Sequence, residues 1–123
     1  MKRNVRRKSA WSMLLLPLLM AASCKNYIVT VTVENRTGGA VHLLEVDYPS
    51  ASFGVDSLAP GAVFQYHVQL QDSGPIKVMY ADGQKKQHQS TGPTLHQGQK
   101  GQLKIVLAPD GKTEFQPELN PPK

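Results

Sequence analysis

The side chains that offer chemistry in this 123-residue chain are few: one cysteine, Cys24, and four histidines, His42, His67, His88 and His96. A thiolate beside an imidazole is the usual arrangement for nucleophilic catalysis, and imidazoles with a thioether suit zinc or copper. Neither pattern appears at short range, because no two histidines stand close enough in sequence to share one face of one element. A metal site from His67, His88 and His96, with Met79 as a soft ligand, would have to be assembled by the fold. The carboxylates Glu45 and Asp47 are spaced to share a strand face, and Asp56 follows, but a paired acid and base for glycoside hydrolysis needs a cleft between them. On one face of a half-buried sheet such a pair is normally solvated. There is no Gly-x-Ser-x-Gly elbow and no metalloprotease motif. Asn35-Arg36-Thr37 has the form of a glycosylation sequon, although the glycines that follow mark it first as a turn. These residues predict a protein that is not an enzyme and uses no cofactor, with surface-histidine metal binding as the alternative function.

The position of Cys24 carries more information than its reactivity. Before it come a basic stretch, Lys2 to Lys8, an apolar stretch, Ala10 to Met20, and the small residues Ala21-Ala22-Ser23. That order is a secretory signal peptide. The uncharged segment is shorter than the roughly 20 residues a spanning helix needs, and Pro17 interrupts it. A single cysteine has no partner in the chain for a disulfide. Met20-Ala21-Ala22-Ser23-Cys24 resembles the lipobox of bacterial lipoproteins, with Ala21 where that family more often has leucine. The resemblance implies cleavage before Cys24, a diacylglycerol on its sulfur, and a bilayer held through the acylated cysteine as the first partner. It also implies a cell-membrane location in the envelope. Because Lys25 rather than Asp follows the cysteine, the outer membrane facing the periplasm is expected in a Gram-negative source.

The charge balance agrees with such processing. The formal net charge is +5, from 14 Lys+Arg against 9 Asp+Glu. Five of the basic residues lie within the first eight positions, so the rest of the chain is balanced and gives no electrostatic case for nucleic acid.

The organisation expected is residues 1–23 as signal peptide, 24–26 as lipidated cysteine and short tether, 27–108 as one domain, and 109–123 as an extended proline-rich tail in which Thr113 to Phe115 adds briefly to a sheet edge. Within the domain, glycine and proline punctuate short runs of alternating or β-branched residues. Tyr27 to Glu34 places Tyr27, Val29, Val31 and Val33 on one face. Val41 to Tyr48 points Leu44, Val46 and Tyr48 inward. Ser52 to Leu58 is a weaker strand in which Gly54 suggests an edge or bulge. Val63 to Gln71 alternates Phe64, Tyr66, Val68 and Leu70 against glutamines and His67. Ile76, Val78 and Tyr80 line a fifth strand, Lys85 to Thr91 reads as a polar, solvent-exposed sixth, and Gln102 to Ala108 is the seventh.

Seven strands with turns about every ten residues predict an all-β fold, an antiparallel sandwich. The pattern resembles the immunoglobulin-like and fibronectin-like modules of exported bacterial proteins, including the Leu58-Ala59-Pro60-Gly61 turn. The resemblance implies a rigid scaffold with a binding or envelope-structural role toward a protein or glycan. The immunoglobulin disulfide and its buried tryptophan are missing, since the only tryptophan is Trp11. The longest irregular stretch, Thr91 to Gln99, is the expected binding loop, with Thr94, Leu95 and His96 at its centre. Tyr48 and Phe53 are expected to form an exposed aromatic platform.

Overall fold

The computed structural model describes residues 27–121. The signal segment, Cys24 and its lipidation lie outside the described residues.

The alternation in the sequence becomes eight strands in two four-stranded sheets: β1 (Ile28–Asn35), β2 (Val41–Tyr48), β3 (Ala51–Leu58), β4 (Val63–Gln69), β5 (Gly74–Ala81), β6 (Gln87–Leu95), β7 (Gly101–Leu107) and β8 (Thr113–Leu119). One sheet has the order β4-β1-β7-β8 and the other β3-β2-β5-β6. All neighbours are antiparallel except β1 and β7, which run parallel at the centre of their sheet. In the constant-type immunoglobulin sandwich the first two strands share a sheet. Here β1 and β2 lie in different ones.

Odd-numbered strands run one way along the sandwich and even-numbered strands the other. The molecule therefore has two poles. The near pole, where β1 begins, holds the β2–β3, β4–β5 and β6–β7 turns and the end of β8. The far pole holds the β1–β2, β3–β4, β5–β6 and β7–β8 turns. A strand of eight residues separates them by about 25 Å.

The core follows the period-2 pattern. Val29, Val31 and Val33 of β1 are fully buried, opposite Val68, Tyr66 and Phe64 of β4, while Leu103, Ile105 and Leu107 close the same layer from β7. Leu44, Val46, Ile76, Val78 and Tyr80 form the facing layer. On the β3–β4 flank an aromatic seam joins the two sheets, with Phe53 stacked on Tyr66 at 4.5 Å between centroids and Tyr48 and Phe64 beside them. Phe53 is only 8% exposed, so the expected aromatic platform is a seam of the core. Only Tyr66 shows much of its ring to solvent. Burial, and after it the charge of Tyr66, raises the Tyr48 hydroxyl above the ordinary tyrosine value.

Two boundaries differ from the sequence reading. The segment after Ala108 is not wholly a tail. A short 3-10 turn at Pro109–Gly111 leads into β8, which pairs with β7 along its whole length. Pro117 is tolerated because β8 is an edge strand, where a missing N–H need not break a ladder. Phe115 then packs over Gly92 of β6, where a Cβ would come within 2.5 Å of Phe115 Cε1. Glycine at that position lets the flanks of the two sheets meet.

The sixth strand is also displaced. It runs to Leu95, and Lys85 and Lys86 belong to the turn before it. A register shift opposite Pro75 and Lys77 absorbs Gly92-Pro93 within the ladder.

Candidate functional site

The strand shift removes the binding loop expected from sequence. Thr94 and Leu95 end β6, and Leu95 is fully buried in the core. An alanine there would open a cavity rather than test a contact. His96 sits in the near-pole turn, where its backbone N–H donates to Gln99 Oε1 at 2.8 Å.

The three histidines expected as metal ligands are dispersed. His67 stands on the outer face of β4, 3.0 Å from Thr30 Oγ1. His88 is on β6 at the opposite flank. His96 follows the other end of that strand, more than 20 Å from His88 by strand rise. Among the described residues no group of three or more His, Cys, Asp or Glu side chains is placed to hold a metal ion. Glu45 and Asp47 lie side by side on the outer face of β2, and the hydrogen bond and charge of Asp47 raise the Glu45 carboxyl above its ordinary range.

The cluster the fold does assemble lies at the far pole. An open cleft of about 570 Å³ is lined by Thr37, Tyr80, Asp82, Lys86, His88 and Asp110. Its floor comes from β5 and β6, which pair Tyr80 with His88. His88 points inward from the edge strand and stacks on Tyr80 at 4.9 Å, correcting its expected place on a solvent-exposed strand. Its Nε2 lies 2.9 Å from Asp82 Oδ2. The ring's other side abuts Gly111 of the β7–β8 turn, where a Cβ would lie 2.6 Å from Nδ1. The cleft is therefore walled by both sheets.

Asp82 is the fixed point of this arrangement. Its Oδ1 accepts the backbone N–H groups of Gln84 and Lys86, at 2.8 and 2.9 Å, closing the β5–β6 turn. The His88 bond first, then these backbone donors, hold its carboxyl below the ordinary aspartate range. Burial, and then the charge of Asp82, raises the Tyr80 hydroxyl. On the other rim Thr37 is tied to Asn35, a fully buried side chain that organises the far pole. Asn35 Nδ2 donates to the carbonyls of Gly39 (2.8 Å) and Leu58 (3.0 Å) and lies 3.2 Å from that of Ala59. Its Oδ1 accepts the Thr37 hydroxyl at 2.7 Å and the Thr37 N–H at 3.0 Å.

The polar groups best placed for chemistry are thus engaged in holding turns. The side chains of Gln84, Lys85, Lys86 and Asp110 remain exposed around the cleft. Sequence reasoning missed the site because its parts come from three turns and two strands. The one local signal was Asp82 followed by Gly83, six residues before His88.

The fold and this cleft define an all-β, two-sheet sandwich with a polar cleft at one pole. No protein-family model and no curated protein matches the chain. Among solved structures it is similar to one described as the NMR structure of the protein from Eubacterium rectale, with a TM-score of 0.55 and 12% sequence identity, over 74% of this chain and 88% of that one. At that identity the likeness establishes the fold alone.

Proposed function

We propose that this chain is an exported lipoprotein, acylated at Cys24, whose sandwich is a non-catalytic binding module of the cell envelope. The observation that carries the reading is the direction of β1. Three residues after Cys24 the chain reaches Tyr27, a span of at most about 11 Å, and β1 then runs from the near pole to the far pole. A lipid on Cys24 would place the near pole at the membrane and present the far-pole cleft outward. In this reading the module does for the envelope what immunoglobulin-like and fibronectin-like modules do elsewhere: a rigid sandwich carries a recognition surface on its turns. Lys25 supports the outer membrane, facing the periplasm, where the source is Gram-negative. The absence of a charge excess beyond the signal supports a protein or glycan partner over nucleic acid. The use of Asp82, Thr37 and Asn35 in turn-holding bonds supports binding over catalysis.

The test has two parts. Cys24→Ser should release the protein from the membrane fraction and remove the acyl adduct from its intact mass. A photo-crosslinking residue at Gln84 should capture an envelope partner from intact cells, with capture reduced by Lys86→Glu. Retention of the serine variant on membranes after signal cleavage overturns the anchor, and capture indifferent to Lys86→Glu overturns the cleft as the recognition surface.

A further inference from the structure

The near pole differs from the far one in a way that suits a different partner. Among the described residues its three turns carry two charged side chains, Asp72 and Lys100, one of each sign, and Glu118 stands at the end of β8. Apart from the imidazole of His96, the remaining polar side chains are amides and hydroxyls, and they cross-link the loops. Ser50 Oγ accepts the Gln71 N–H at 2.9 Å, and Ser73 Oγ accepts the Gln97 N–H at 2.9 Å. The buried Gln99 donates from Nε2 to the Asn120 carbonyl at 2.8 Å, while Asn120 Oδ1 accepts the Lys100 N–H at 2.8 Å. The loops form one rigid platform. At its rim are Tyr27, Tyr48 and Ile28, the last 40% exposed.

We infer that this pole is a docking surface for the phospholipid headgroup layer, so that the domain stands upright on the bilayer instead of tumbling on its tether. The inference rests on acylation at Cys24. A leash of about 11 Å holds Tyr27 against the layer. Neutral amides and hydroxyls can hydrogen-bond phosphate and glycerol oxygens without the desolvation cost of a buried charge. Tyrosine, with an apolar body and a polar tip, suits a membrane interface. The far-pole turns carry the cations Arg36, Lys85, Lys86 and Lys112 against Asp82 and Asp110, an excess that would attract anionic lipid. With about 25 Å of strand between the poles, they reach the headgroups only if the domain lies on its side.

The experiment uses the full chain, expressed with its lipid and reconstituted into phosphatidylethanolamine–phosphatidylglycerol vesicles. Acylation leaves Cys24 without a free thiol, so a single cysteine introduced by Gln97→Cys or Gln84→Cys carries the only bimane label. Headgroup-spin-labelled lipid should quench the near-pole label severalfold more than the far-pole label. Adding Gln71→Glu should weaken the near-pole quenching on phosphatidylglycerol-rich vesicles and salt should restore it, because the new repulsion is screened. Equal quenching at the two sites, or stronger quenching at Gln84→Cys, in protein that floats with the vesicles overturns the docking surface alone. A chain that fails to float and whose Cys24 thiol reacts with maleimide overturns the anchor, and the docking surface with it.

Discussion

The two poles of this sandwich solve the same problem, satisfying the backbone groups of several turns, by different means. At the far pole one fully buried side chain, Asn35, serves carbonyls from the β1–β2 and β3–β4 turns, and Asp82, hydrogen-bonded to His88, closes the β5–β6 turn. At the near pole serines and glutamine make single neutral bonds between neighbouring loops. A central hub frees the turns around it to carry charge and variety, whereas a mesh of neutral bonds ties neighbouring loops to one another with little charge. The first arrangement suits recognition and the second suits support.

The hub and the mesh should fail differently. Asn35→Ala removes the side-chain donor to the buried Leu58 carbonyl and to those of Gly39 and Ala59, and takes the acceptor from the Thr37 N–H, and at roughly 1 to 3 kcal/mol for a stranded buried group a loss of about 3 kcal/mol is expected in urea unfolding. Gln99→Ala removes one link of the mesh, and about 1 to 2 kcal/mol is expected, with faster hydrogen exchange confined to the end of β8. Equal losses at the two positions would erase the distinction between hub and mesh.

Asp82 sharpens the comparison through pH. Because the folded-state pKa of Asp82 is lowered, its contribution is complete above the ordinary aspartate range and is lost as pH falls through the depressed value. Asp82→Asn should therefore flatten the acid limb of the stability curve, while the turn bonds to Gln84 and Lys86 survive on the amide oxygen. Glu34 at the same pole behaves alike, lowered chiefly by Arg36 and then by Lys104, so an acid titration of Asp82→Asn retains a residual slope that Glu34→Gln removes. The smallest effect is expected at Lys86, whose side chain is exposed: Lys86→Ala should change unfolding stability by less than about 0.5 kcal/mol while altering what binds the cleft.

Much of the scaffold is legible in the residues. Val29, Val31 and Val33 announce a half-buried strand, and the alternation of Phe64, Tyr66 and Val68 sets the register that the structure shows. The failures have a common cause, since glycine and proline stop a local reading even where an edge strand tolerates them. Gly92-Pro93 concealed the second half of β6, and Pro117 concealed all of β8 beyond Thr113 to Phe115 although Glu114, Gln116 and Glu118 alternate cleanly with Phe115 and Leu119. The cleft was beyond local reading, because the approach of His88 to Gly111 depends on how two sheets stack and no spacing encodes that.

The parallel pairing of β1 with β7 bears on how the molecule comes into being. The earliest strand of the domain lies between β4 and β7, so its hydrogen-bonding edge stays open until the seventh strand has been delivered. Contacts so distant in sequence slow folding. A polypeptide threaded through a translocation pore from its N-terminus would emerge as a loose, unsealed chain for nearly its entire passage.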